Sequence, residues 1–282
     1  MREKTQEPAP EELPTEAVHG ATRDLDKLSV EEVLDQIHAE DAEALAAVGR
    51  VLPQVAQAVD ALVCAVGGGG RWFNVGAGTS GRMGVLDAAE IPPTFGMPAQ
   101  CVQGLIAGGE RALREAVEGA EDNAEAAAWE LRERGLGMGD AVVALSASGR
   151  TPFALGAVQA AHEAHARSIC ITCDPGSPLA EAAEIPIVPE VGPEVIAGST
   201  RMKGGLAQKM VLHLLSTTVM VQLGRVEGNL MTNLTAVSQK LRSRAQRIVM
   251  TLADVDEERA RALLEESQGN VDAALKAARG QA

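Results

Sequence analysis

The sequence predicts an α/β protein: a doubly wound parallel sheet, with helices before it and a small helical subdomain after it. From Trp72 to Pro189, short apolar runs rich in Val, Ile and Ala alternate with longer helix-patterned stretches across short turns. That alternation builds a parallel sheet covered on both faces. Hydrophobic residues make up 46% of the chain, but aromatics only 2%, with no tyrosine. The interior therefore rests on Ala, Val, Leu and Ile, which suits helices packed closely on a sheet. Lastly, two of the strands run straight into glycine- and hydroxyl-rich turns, GAGTSG at 76–81 and SASGRT at 146–151.

Taken in order, MREKTQEPAPEELPTEA is rich in Pro and Glu, and residues 1–27 read as a mobile arm. Ser29 and Glu32 form an S-x-x-E capping box that opens a helix through Ile37. A second helix is expected over 42–66, where Leu45, Val48, Val55, Val59 and Leu62 recur at helical spacing. Strands follow at 72–76, 101–106, 140–146, 168–173 and 185–188. Helices are expected at 80–90, 111–134 (broken near Gly119), 152–166 and 178–183. The first of these ends on Glu90, before a Pro92–Pro93 stop. A polar connection, GPEVIAGSTRMKGG, then enters an apolar helix over 206–223. A further helix is expected over 231–252, with Lys240, Arg242, Arg244 and Arg247 as a solvated basic stripe. The tail forms two short helices about Gly269, with Asn270 as N-cap. Residues 28–228 make up the sheet domain and 229–282 the helical subdomain.

A glycine-rich turn feeding a helix N-terminus offers backbone N–H groups and the positive end of the helix dipole to an anion. GAGTSG also satisfies the dinucleotide pattern G-x-G-x-x-G, and Glu110 lies near the end of the next strand, so that test is not clean. The second turn decides the matter. Two Ser/Thr-Gly-Arg turns at strand ends suit one small phosphate ester better than a pyrophosphate, and such ends are where ligands sit in open α/β sheets.

These loops resemble the phosphosugar-binding sugar isomerase (SIS) domain. The strings GAGTSGRMGVLDAAEIPPTFG, GLIAGGE, AVEGAED, SASGRTP and GSTRMKGG resemble the N-acetylmuramic acid 6-phosphate etherases from about Thr15 to Gly280. Ile91 departs from a commonly found cysteine, and Ser146 from a common alanine. The resemblance implies a cofactor-free and metal-free lyase. Its sugar opens to the aldehyde, a base removes the C2 proton, lactate leaves from C3, and water adds across the double bond. Two acid–base groups are needed, and the motifs carry them onto Glu90 and Glu121. Glu90, expected at a helix's C-terminal end where the dipole disfavours negative charge, is assigned the proton donor, and Glu121 the base. Thr79, Ser80, Gly81, Ser146, Ser148, Thr151 and Ser199 are the expected phosphate-binding residues. The loop holding Ser199, Thr200, Arg201 and Lys203 is expected to close the pocket of its own or a neighbouring subunit. SIS folds pair commonly, so a homodimer is expected. The tail is similar to the small ubiquitin-associated helical fold. A non-catalytic phosphosugar sensor of the glucokinase-regulatory type is the alternative, and an aldose–ketose isomerase a third.

With 25 basic against 39 acidic residues, the net charge is −14. Nucleic acid and anionic membranes are poor partners for such a surface. Neither a long apolar span nor a signal-peptide segment is present in the sequence, which predicts the cytoplasm. Cys170 and Cys173 have C-x-x-C spacing but fall in a strand without further ligands, so packed thiols are expected rather than a metal or redox site. His213, on an apolar helix, is expected to pack or cap.

Overall fold

A computed structural model describes residues 13–234 and 239–280. Five parallel strands, β1 (Trp72–Gly76), β2 (Val102–Ile106), β3 (Ala141–Leu145), β4 (Arg167–Ile171) and β5 (Ile185–Ile187), form one sheet in the order β2-β1-β3-β4-β5. The chain leaves β1 toward β2 on one side and later builds β3 on the other. The point where strand order reverses therefore lies between β1 and β3, which are in register with Gly76 opposite Leu145. Alternate residues of each strand feed opposite faces. Trp72, Ala141, Val143, Ile169 and Ile187 pack under α1 (Val30–Arg50), α2 (Leu52–Gly67), α3 (Gly78–Phe95) and α8 (Lys203–Gln222). Phe73, Val75 and Val142 pack under α5 (Ala124–Glu133) and α6 (Pro152–Glu163). The sheet is doubly wound, as its alternating pattern predicts.

Helix boundaries differ from expectation in places with clear causes. The capping box is present: Ser29 Oγ accepts from Glu32 N–H while the Glu32 carboxylate accepts from Ser29 N–H. The helix it starts runs on to Arg50, and the break falls at Val51, just before Pro53. Pro53 fits the first turn of α2, where its missing N–H costs nothing. Helix α3 does not stop at the prolines. Pro92 and Pro93 lie inside its last turns, and the helix ends at Phe95, with Gly96 N–H bonded to the Pro92 carbonyl. The expected helix over 111–134 shrinks to α4 (Gly109–Ala112), a single 3₁₀ turn at 120–122, and α5, which Asn123 caps through its side chain.

Of the expected mobile arm, residues 1–12 lie outside the described residues, and the chain from Leu13 to Leu28 is docked rather than loose. Thr15 and Thr22 are buried, the Thr15 carbonyl accepts from Gly198 N–H, and Thr22 Oγ1 donates to the Val195 carbonyl. Short α7 (Pro178–Ala182) leads into β5. At the far end, α9 (Gln239–Ala253), α10 (Glu257–Glu266) and α11 (Val271–Ala278) enclose their own core of Ile248, Val249, Leu263, Val271 and Leu275, joined by Leu234. Residues 231–234 are not helical; the rest of the expected start of α9, 235–238, lies outside the described residues. No described helix is long and apolar enough to cross a membrane.

Candidate functional site

At the C-terminal ends of β1 and β3 lies a crevice of about 370 Å³. Thr79 and Ser80 line it from the first turn of α3, and Ser146, Ser148 and Thr151 from the turn after β3. Gly198, Thr200, Glu16, Glu121, Asp122 and Arg150 also line it. The α3 helix begins at Gly78, two residues earlier than expected, so Thr79 and Ser80 are first-turn residues. Its N-cap, Ala77, gives no side-chain cap, which leaves the positive end of the helix facing the crevice.

Gly81 plays a different part from the expected one. It is buried, absent from the crevice lining, and its N–H bonds the Ala77 carbonyl at 3.0 Å. A Cβ there would lie 2.6 Å from the Gly76 carbonyl oxygen and 2.7 Å from Ile106 Cγ1. Gly81 thus lets α3 settle on β1 and β2 and aims the residues before it. The second loop is tied internally: Ser146 Oγ lies 2.8 Å from Thr151 Oγ1 and accepts from Gly149 N–H at 3.0 Å. Ser146 is 3% exposed, so it organises the loop more than it faces the cavity. Ser148 and Thr151 are its accessible hydroxyls. Both nearby arginines are already engaged. Arg82 donates to the Glu115 carbonyl and Arg150 pairs with Asp174 at 3.2 Å.

The 192–205 connection also departs from expectation. Ser199 does not line the crevice, whereas its neighbours Gly198 and Thr200 do. Lys203 is 2% exposed and ion-paired to Glu40, which His19 also approaches at 3.3 Å. It is a buried strut rather than a cation offered to substrate. Glu194, not Ser or Thr, caps α8, accepting from Lys203 N–H and Gly204 N–H at 2.9 Å each. Burial raises the Glu194 carboxyl above its ordinary range against the pull of those two bonds.

Only one of the two glutamates reaches the crevice within a single chain. Glu121 sits on the 3₁₀ turn after Gly119 and borders both the crevice and an adjoining cleft of about 190 Å³. Glu90 is exposed on the other half of α3, and no longer at a helix end, because α3 continues to Phe95. The helix-end argument for a proton-donor Glu90 therefore loses its geometric basis. Its neighbour Asp87 is 5% exposed, and desolvation pushes its carboxyl up to about 6 against a hydrogen bond from Ser216 and the charge of Lys209. His213, on the same α8 face, is exposed and bonded to the Lys209 carbonyl rather than packed.

The chain is similar to known proteins over most of its length. Residues 54–162 match the glucokinase regulatory protein N-terminal SIS domain, and 127–217 match the SIS domain. An N-acetylmuramic acid 6-phosphate etherase of Vibrio cholerae is 48% identical over 93% of this chain and 86% of that protein. One from Cronobacter sakazakii is 49% identical over 93% and 89%. This chain belongs to the N-acetylmuramic acid 6-phosphate etherase family. Among solved structures, phosphoheptose isomerases of Neisseria gonorrhoeae and Francisella tularensis share the fold. They have TM-scores of 0.53 and 0.52, at 18% and 19% identity, covering 68% of this chain and 99% and 98% of theirs.

In this etherase-family crevice, several residues join those the sequence picked out. Arg150 lay inside a string already recognised, SASGRTP, but not as a wall residue, whereas Thr200 belongs to the loop expected to close the pocket and does line it. Asp122 follows Glu121 directly. Glu16 had no local sequence sign at all; it arrives because the docked N-terminal segment packs beside Gly198.

Proposed function

We propose that this chain cleaves the D-lactyl ether of N-acetylmuramic acid 6-phosphate with water, giving N-acetylglucosamine 6-phosphate and D-lactate, as a carbon–oxygen lyase with a hydrolytic outcome. The observation that carries this reading is the meeting of two hydroxyl-bearing turns, an open helix N-terminus and the Glu121 carboxylate in one crevice. The open α3 terminus and the Thr79, Ser80, Ser148 and Thr151 hydroxyls supply donors for a phosphate dianion. In the aldehyde form, the C1 carbonyl acidifies the C2 proton. A carboxylate takes that proton, the C3–O bond breaks, and the lactate oxygen leaves with a proton from a second acid. Water then adds its oxygen at C3 and a proton at C2.

Glu121 is the acid–base group of the chain's own crevice. The second is Glu90 of another copy, in a homodimer of cytoplasmic protein. Glu90 is exposed one turn beyond the 47%-exposed Leu86, so a partner face laid on this half of α3 would carry the carboxylate into its crevice. The phosphosugar sensor is not favoured: the match to the glucokinase regulatory domain covers only 54–162, whereas the etherase relatives match 93% of the chain. D-lactate release separates the two. The enzyme liberates it from the phosphorylated muramic acid and much more slowly from the unphosphorylated sugar; a sensor binds the phosphosugar and releases none.

A further inference from the structure

Behind the crevice, Ser80 is held by a residue from another element. Its Oγ–H donates to Gln208 Oε1 at 2.8 Å, rather than into the cavity that Ser80 lines. Gln208 is 1% exposed, and its Nε2 has no hydrogen-bond partner among the described residues. It sits on α8 one turn beyond Gly204 and Gly205, where the helix meets both loops closely. A Cβ at Gly205 would lie 3.3 Å from Thr79 Cγ2, and one at Gly204 3.2 Å from Ala147 Cβ. The two glycines seat α8 against the crevice and so fix the reach of Gln208 to Ser80.

A serine hydroxyl has one proton to give. While that proton serves Gln208, it cannot serve an anion, whose oxygens only accept. The terminal torsion of glutamine is two-fold, so the amide fits its slot either way round. Turned over, it would donate from Nε2 to Ser80 Oγ, which gives the orphaned amide a partner and frees the serine proton for the crevice. We propose that Gln208 is a positioning residue that sets the donor direction of Ser80, its amide turning over when an anion enters. This rests on the reading of the crevice as a phosphate site.

The test is calorimetric binding of glucosamine 6-phosphate, with thermal midpoints measured alongside. Gln208→Glu keeps the size; measured at pH 9, where a carboxyl raised by burial is ionised, its carboxylate only accepts and so holds the Ser80 proton. Affinity should fall about 10–100-fold, the loss of one charge-assisted hydrogen bond. In a Ser80→Ala background the same change should cost at least about 5-fold less than in the parent, because the proton it captures is gone and only charge repulsion remains. Gln208→Met leaves the serine proton free and should retain most of the affinity. The proposal is overturned if Gln208→Glu binds normally. It is equally overturned if its loss persists undiminished without the Ser80 hydroxyl, or if Gln208→Met loses as much as Gln208→Glu with a lowered thermal midpoint. Failure of the unaltered chain to bind the phosphosugar would instead bring down the phosphate reading of the crevice, and the Gln208 role with it.

Discussion

Ser80 and Glu90 ride on one helix, ten residues apart, which puts the crevice-lining serine and this glutamate about 15 Å apart along the helix axis. A straight helix cannot fold that distance away. If both act on one substrate, the glutamate comes from a second copy, and a two-fold dimer then holds two crevices, each completed by its partner. Mixing separately inactive Glu90→Gln and Glu121→Gln chains should restore activity. Each mixed dimer has one intact site, so an equal mixture approaches about a quarter of the wild-type rate. Continued inactivity after verified subunit exchange would place both glutamates in the same chain's site.

Asp87 predicts a pH-dependent stability. Its carboxyl ordinarily titrates at 3.8 and is pushed up to about 6, chiefly by desolvation. Between those values the native state holds a proton that the unfolded chain has released, so stability falls as pH climbs through this window. The deficit reaches about 3 kcal/mol above it. Asp87→Asn removes the ionisation while keeping an oxygen for the Ser216 hydroxyl. The variant should melt higher than the parent at pH 8, with the advantage fading toward pH 4. An advantage of the same size at both pH values would mean that the gain comes from packing, not from the charge.

Much of this site is legible in sequence because it is local. The hydroxyl loops, the turn after Gly119 and the capping box each lie within a few residues, where spacing reports geometry directly. Several of the misses are long-range. Glu16 reaches the crevice only through the contact of Thr15 with Gly198, and Lys203 is removed from it only because Glu40 on α1 receives its ammonium. Gln208 meets Ser80 across 128 positions. The extension of α3 past Pro92 is a tertiary override: Ile91 and Phe95 bury their side chains in the core, and that burial carries the helix on to Phe95 through a strong local stop.

The cysteines give a chemical check on the sheet. Burial pushes the Cys170 and Cys173 thiols up to about 12, with the nearby Glu194 charge adding to the effect at Cys173. At pH 8 neither holds an appreciable thiolate, the form that reacts. Cys64, which is exposed, should be alkylated by iodoacetamide first and Cys101 after it, while Cys170 and Cys173 react only on unfolding. Activity should survive alkylation confined to Cys64. Peptide mapping by mass spectrometry reads the order directly; early labelling of Cys170 would contradict its burial in β4.

The assignment of roles to the two carboxylates can be read from hydrogen exchange. Elimination needs one ionised group to take the C2 proton and one protonated group to assist the departing C3 oxygen. Glu121 borders the crevice beside the hydroxyl loops, which puts it within the chain's own reach of a sugar held there, so it is assigned the base. On the proposed reading, in which a partner subunit delivers Glu90, that residue is left as the donor. A Glu90→Gln dimer keeps its base, so in deuterated water it should still wash the C2 hydrogen out of unreacted substrate while lactate release falls by about 10²-fold or more. Glu121→Gln should lose exchange and release together. If Glu90→Gln loses exchange and Glu121→Gln retains it, the two roles are reversed. Should neither change slow lactate release, these glutamates do not carry the reaction, and the other carboxylates of the crevice, Glu16 and Asp122, become the ones to replace.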